Sequence, residues 1–303
     1  MSFSYNTKEE LCKTPLDSKC CATAECYGML LYCNTFSSSE IRIITGNQKL
    51  GQRLKEGFGR AFSIEFDTVP GEGKTGKQSY VISDPQKLGH VFETFGFSPD
   101  SLIAHHVNLG VLEEDCCRRS FIRGAFLAGG AITNPAKSYH LELVTDHYSV
   151  SREMYSLLLE MGFVPKETAR GGNYLVYFKQ SSAIEDFLTI IGAPIHAMQL
   201  MASKIEKDMR NSVNRKVNCD TANVTKIIDA AAAQIDAIEK IEAAGVLDTL
   251  PEKLRQTALL RKENPELSIK ELAETSVPPV TKSCMNHRLR KLVETSEAVK
   301  QCI

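Results

Sequence analysis

Three glycines fall within seven residues of a single apolar run, Ser120-Phe121-Ile122-Arg123-Gly124-Ala125-Phe126-Leu127-Ala128-Gly129-Gly130-Ala131-Ile132. Each glycine inside a helix costs about 0.5–1 kcal/mol relative to alanine. A helix here must therefore recover that cost by letting a partner approach its bare face. A partner of the same character lies upstream, in Ala24-Glu25-Cys26-Tyr27-Gly28-Met29-Leu30-Leu31-Tyr32-Cys33-Asn34, with Gly28 where the later run has Gly124. The pair reads as the seam of an internally duplicated domain.

The flanking segments repeat in the same order. After the first seam helix, Thr35-Phe36 and Ile41–Thr45 flank the turn-rich Ser37–Glu40, and Leu50, Leu54 and Phe58 follow at helical spacing. Two strands, Ser63–Val69 and Gln78–Ser83, are expected across a glycine-rich turn, then a helix from Pro85 to Phe95 closed by Gly96. In the second half a helix over Ser120–Ala131 leads to a strand at Tyr139–Thr145, a helix at Ser151–Met161, a hairpin of Val164–Thr168 and Tyr174–Phe178, and a closing helix at Ser182–Ile191. The expectation is an α+β unit, αββαββα, duplicated with about 95 residues between equivalent positions.

At 303 residues the chain has room for about two domains. Its net charge of −1 gives no overall attraction to nucleic acid or membrane, so such binding must come from a local patch. There is neither a long uncharged apolar run nor a basic-then-apolar leader, and the expected location is the cytoplasm, without a membrane partner. Ten cysteines then read as reduced thiols. Two adjacent pairs, Cys20-Cys21 and Cys116-Cys117, lack the Cys-x-x-Cys spacing of common zinc sites and read as buried small apolar side chains. A metal or redox site would require them to converge in three dimensions.

The duplicated pattern over residues 20–195 resembles the LAGLIDADG homing-endonuclease fold, in which two such units pair along their motif helices and their sheets form a saddle over DNA. Aligned on the motif glycines, Gly129 and Cys33 occupy the positions where that family's active enzymes carry a metal-binding acid. Two-metal hydrolysis of a phosphodiester needs hard oxygen ligands, which glycine and a thiol do not supply. The nearest upstream acid, Glu25, stands about 12 Å from Cys33 along the helix axis. The resemblance thus implies the scaffold without the chemistry: no catalytic residue, metal or cofactor. Gly71–Gln78 approaches a phosphate-binding loop, but it ends on Gln78 instead of a hydroxyl and leads into an expected strand, so it reads as a basic hairpin tip.

Beyond Met198 the composition turns basic and polar, and residues 199–220 read as a linker, irregular over Asn211–Cys219. Asp220 or Thr221 is expected to cap a helix that ends at Ala244 before Gly245. Residues 221–303 then form a helical domain with a helix-turn-helix over about 251–297. Within it, Pro251 opens one helix, the capping box Ser268-Ile269-Lys270-Glu271 opens a second, and Thr281 caps a third after the Val277-Pro278-Pro279-Val280 turn. At about 100° per residue, Met285, Leu289 and Leu292 share one arc of that third helix. Ser283, His287, Arg290 and Lys291 lie opposite, with Lys282 and Asn286 on the shoulder. From Lys282 to Lys291 there are four basic residues, one histidine and no acid, the chemistry a major groove accepts. Ser268, Lys270 and Thr281, at helix N-termini, complete the candidate DNA-binding set.

A degenerate LAGLIDADG domain (1–198, repeats about 20–97 and 115–195), then Asn214-Arg215, Asn218-Cys219-Asp220 and Ala222-Asn223, then Asn286-His287-Arg288-Leu289-Arg290-Lys291-Leu292 in a terminal helix-turn-helix, resembles the WhiA family. The resemblance implies a bacterial, nucleoid-associated, non-enzymatic transcriptional regulator of sporulation and cell division. It makes Lys282, Ser283, Asn286, His287 and Arg290 contacts to promoter DNA, with the saddle expected either to add contact to the DNA backbone or to bind a protein partner. The alternative is a nuclease, active or relic, that the terminal domain targets.

Overall fold

The computed structural model describes residues 2–16, 18–71, 76–97 and 104–300. The first seam helix, α2, spans Lys19–Leu31 and is capped by the Ser18 hydroxyl, which accepts from the Cys21 N–H at 3.2 Å. Its counterpart α5 spans Asp115–Gly129. Their backbones touch at the expected glycines: a Cβ on Gly28 would stand 2.0 Å from the Phe121 carbonyl oxygen, and one on Gly124 would stand 2.0 Å from that of Glu25. The two contacts are reciprocal, as the halves of a pseudo-two-fold require.

A helix the sequence reading did not foresee, α1 (Phe3–Leu11), precedes the first repeat. That repeat continues through β1 (Thr35–Phe36), β2 (Ile41–Thr45), α3 (Gln48–Phe62), β3 (Gln78–Ile82) and α4 (Pro85–Thr94). Its sheet is antiparallel, in the order β1-β2-β3. The strand expected at Ser63–Val69 does not form; Thr68 makes one isolated bridge to Val81. Asp67 explains this, because its carboxylate accepts from the Ser83 and Asp84 N–H groups at 2.7 and 2.8 Å, a side-chain substitute for ladder bonds. In the Gly71–Gln78 segment residues 72–75 lie outside the described residues, and Gln78 opens β3.

The second repeat has a four-stranded antiparallel sheet in the order β4-β5-β7-β6, built from β4 (Gly130–Ile132), β5 (Leu141–Thr145), β6 (Lys166–Arg170) and β7 (Asn173–Phe178). Helices α6 (Tyr148–Glu160) and α7 (Ser181–Ile191) pack with it. The seam helix stops at Gly129, not Ala131, because Gly130–Ile132 pair with Leu141–Leu143 as β4. The core beneath both sheets is aromatic: Tyr27, Phe58, Phe92, Phe95, Phe121, Phe126, Phe178 and Phe187 are fully buried. Tyr27 stacks on Phe95 at 4.1 Å, and its hydroxyl donates to the His106 carbonyl at 2.7 Å while accepting from Asn108 N–H at 2.8 Å.

The expected linker is helical. One helix, α8, runs unbroken from Pro194 to Ala243, so residues 199–220 contain no irregular segment and no new helix starts at Asp220 or Thr221. Polar composition suggested a break, but between Pro194 and Gly245 there is no further proline or glycine, and polar residues alone do not end a helix. Its first turn is held by Glu10 of α1, whose carboxylate accepts from the Ile195 and His196 N–H groups at 2.8 and 3.1 Å. By internal packing the chain divides into two compact units, Met1–Asp208 and Met209–Ile303.

In the second unit α8 ends at Ala243, two residues before Gly245, whose φ of +68° is left-handed. Then follow α9 (Glu252–Glu263), α10 (Ile269–Thr275) and α11 (Lys282–Lys300). Ile238, Ile241, Ala258, Leu272, Ala273, Met285, Leu289 and Leu292 form their common core. Arg261 is buried beneath them, donating to Gln234 Oε1 at 2.9 Å and to the Asn264 and Leu267 carbonyls at 3.2 and 2.7 Å, which locks α9 to α8 and to the loop before α10.

Candidate nucleic-acid interface

Helix α11 is aimed by its own apolar stripe. Met285, Leu289 and Leu292 are at most 1 % exposed, as their common arc requires. Lys282, Ser283, Asn286, His287, Arg290 and Lys291 are all exposed, and Arg288 is half-buried at the margin. The N-terminus is fixed by the Thr281 hydroxyl, which accepts from Cys284 N–H at 3.2 Å. On α10 the capping box is complete: Ser268 Oγ accepts from Glu271 N–H at 3.3 Å and Glu271 Oε2 accepts from Ser268 N–H at 2.8 Å. Ser268 therefore already has a structural role, holding α10 before the turn.

Two cations of the set are paired. Lys270 Nζ lies 3.9 Å from Glu274 Oε1, and Arg290 Nε lies 3.1 Å from Glu294 Oε1. Arg290 is 77 % exposed and its partner 57 %, so the pair contributes at most about 1 kcal/mol and yields readily to a phosphate or a guanine edge. Lys282 and Lys291 have no ion-pair partner among the described residues. The arrangement offers a helix N-terminus with hydroxyls for phosphate, then amide and guanidinium groups further along one face for base edges.

In the first unit the C-terminal ends of the seam helices carry Cys33 and Gly129 at the motif positions. The Cys33 thiol points at the Leu30 and Thr35 carbonyls, 3.1 Å from each, and burial pushes it up to about 12, leaving it neutral. A Cβ on Gly129 would stand 2.5 Å from the Val144 carbonyl oxygen and 3.0 Å from the Tyr32 ring, so an acid cannot be accommodated there without moving β5. Asp146 is exposed and lies 3.3 Å from His147, whose protonation burial disfavours, and among the described residues no group of three or more metal-ligating side chains gathers at this end of the seam.

Glu25 is committed elsewhere. Its carboxylate accepts from Arg53 at 2.5 and 2.8 Å and from Arg123 Nε at 2.7 Å, all three side chains being almost fully buried. Arg53 also donates to the Cys12 and Thr14 carbonyls at 3.0 and 2.7 Å, and Arg123 to the Ile191 carbonyl at 3.1 Å and Ser120 Oγ at 2.9 Å. This triad joins α2, α3 and α5, and loss of one partner in such a buried set costs about 3–5 kcal/mol. Sequence reading missed Arg53 and Arg123. The available signal was one acid in the first seam helix and one arginine within the apolar run Ser120–Gly130 of the second, each alone among apolar neighbours.

The sheet surfaces carry mutually cancelled charge. Arg42 pairs with Glu40 at 2.7 Å, Arg152 with Glu167 at 2.7 Å, and Glu142 lies 3.0 Å from His140 and 4.0 Å from Arg170. Between residues 40 and 180 sixteen Lys and Arg are balanced by sixteen Asp and Glu.

Together these features define a class: a duplicated LAGLIDADG-like domain whose seam lacks its acids, followed by a helix-turn-helix domain. Residues 118–210 match the family model of the WhiA LAGLIDADG-like domain, and residues 213–296 that of the WhiA C-terminal HTH domain. The chain is 38% identical over 309 residues to the "Probable cell division protein WhiA" of Ruminiclostridium cellulolyticum, covering 99% of each chain, and 34% identical over 310 residues to that of Alkaliphilus metalliredigens, covering 98% of each. The crystal structure of full-length WhiA from Thermatoga maritima superposes with a TM-score of 0.59 at 25% identity, over 98% of this chain and 99% of that one. The chain belongs to the WhiA family.

Proposed function

We propose that this chain is a non-enzymatic, sequence-specific DNA-binding regulator acting in bacterial cell division and sporulation, with α11 reading promoter duplex from the major groove. The observation that carries the reading is the exposed face of Lys282, Ser283, Asn286, His287, Arg290 and Lys291, held outward by three buried residues on the opposite arc. Ser268 and Thr281 cap the adjoining helices, and the exposed Lys270 is offered to backbone phosphate. The relatives' printed name, probable cell division protein, supports the process. Among the described residues no helix is long and apolar enough to cross a membrane.

The cancelled charge of the sheets supports a protein partner, not a phosphate backbone, on the saddle. Cutting is the competing activity, and the sterically closed Gly129 and neutral Cys33 count against it. Supercoiled plasmid carrying a site selected from random duplexes should bind in a gel shift and stay supercoiled with Mg²⁺ or Mn²⁺. Metal-dependent nicking that disappears in an Asp146→Ala variant would establish a nuclease instead.

A further inference from the structure

The two cysteine pairs are not the buried apolar pairs their adjacency suggested. Cys20 and Cys116 are exposed, Cys21 is half-buried and only Cys117 is buried. Cys20 and Cys21 are the second and third residues of α2, and Cys116 and Cys117 are the second and third residues of α5. Each pair thus stands eight and seven residues before its own seam glycine, Gly28 or Gly124. Because those glycines bring the two helices into backbone contact, the pseudo-two-fold delivers both pairs to one point. All four sulfurs lie within 4.8 Å of one another, Cys116 and Cys117 being 3.9 Å apart.

We propose that Cys20, Cys21, Cys116 and Cys117 form a tetrathiolate site for one Zn²⁺ that clamps the N-terminal ends of the seam helices. Metal–sulfur bonds of about 2.3 Å place the corners of a tetrahedron about 3.8 Å apart, close to the separations here. Four soft thiolates select zinc over the hard cations a nuclease would use. Binding exchanges four S–H bonds for four metal–sulfur bonds and releases four protons, and the dianionic centre sits against the positive ends of two helix dipoles. Thirteen residues separate Cys20 from Cys33, about 20 Å of helix, so the site is remote from the vacated motif positions. Its role is to tie one repeat to the other through two short stretches nearly a hundred residues apart in the chain.

The full chain, purified and stripped of metal under argon with reductant, is titrated with Co²⁺. One equivalent per chain should give thiolate-to-cobalt charge-transfer bands and the intense red-region bands of a tetrahedral site, and Zn²⁺ should bleach them. Cys20→Ser combined with Cys116→Ser should abolish the bands, whereas Cys219→Ser, at an exposed cysteine of α8 outside the cluster, should keep them. Mass-spectrometric alkylation of the wild-type chain, which does not depend on a variant folding, should show Zn²⁺ protecting these four cysteines selectively. Absence of the bands, their persistence in the double variant, equal alkylation with and without Zn²⁺, or the four thiols recovered as disulfides from the argon-purified chain would each overturn the proposal.

Discussion

Two glycines set the distance between the halves of the first unit, and the consequence is measurable. A methyl group at Gly124 would stand 2.0 Å from the Glu25 carbonyl oxygen, in a seam where both backbones are fixed by their helices. Gly124→Ala should lower the unfolding free energy by about 1–3 kcal/mol or more through overpacking. Gly89, inside α4, has nothing within 4 Å of its Cβ position and no left-handed φ, so Gly89→Ala should raise stability by about 0.4–1 kcal/mol. Chemical denaturation of the two variants beside the parent reads both signs. The seam glycines were legible in the sequence because a helix tolerates that density of glycine only at a close approach. The Glu25–Arg53–Arg123 triad was not, because Arg53 comes from a third helix and nothing in its spacing announces burial at 3 % exposure.

Among the elements, α11 on the proposed reading divides its labour along its length. Lys282 stands at the N-terminus, suited to phosphate, and Arg290 stands two turns later, suited to a guanine edge. Arg290→Ala should weaken binding to a selected site by about 1–3 kcal/mol and relax preference at one base pair, whereas Lys282→Ala should weaken binding to all sequences alike and reduce the salt slope by about 1. Anisotropy titrations on selected and scrambled duplexes at several salt concentrations separate the two. The core arc of this helix could be read from periodicity because Met285, Leu289 and Leu292 repeat at the helical interval. The unbroken α8 could not, since its polar middle carries neither an apolar stripe facing a core nor a breaker, and composition was mistaken for a boundary. The strand expected at Ser63–Val69 failed for a local reason, the Asp67 carboxylate taking the backbone donors that a strand would have used.

Over the whole molecule, the LAGLIDADG-like domain keeps its paired seam helices while the charged side chains within the seam are used to join helices. At the C-terminal ends of the seam helices the motif positions hold Cys33 and Gly129, and Val144 and Tyr32 close the space at Gly129; in the middle Glu25 is neutralised by two arginines. The four cysteines at the N-terminal ends were invisible as a group in the sequence, because only the duplication, folded, brings residues 20–21 and 116–117 together. Exposed positive charge that is unpaired or weakly paired lies on the terminal helix, at Lys282, Arg290 and Lys291, and also along α8, at Arg210, Arg215, Lys216 and Lys226. The most direct measurement compares the full chain with its Lys282→Ala, Asn286→Ala, Arg290→Ala triple variant. The affinity ratio of a selected duplex to a scrambled one is determined at equal salt, with circular dichroism confirming an unchanged helix content. The account predicts that the ratio falls to near one in the variant; a ratio equal to that of the parent would contradict it and assign the reading of sequence to the saddle.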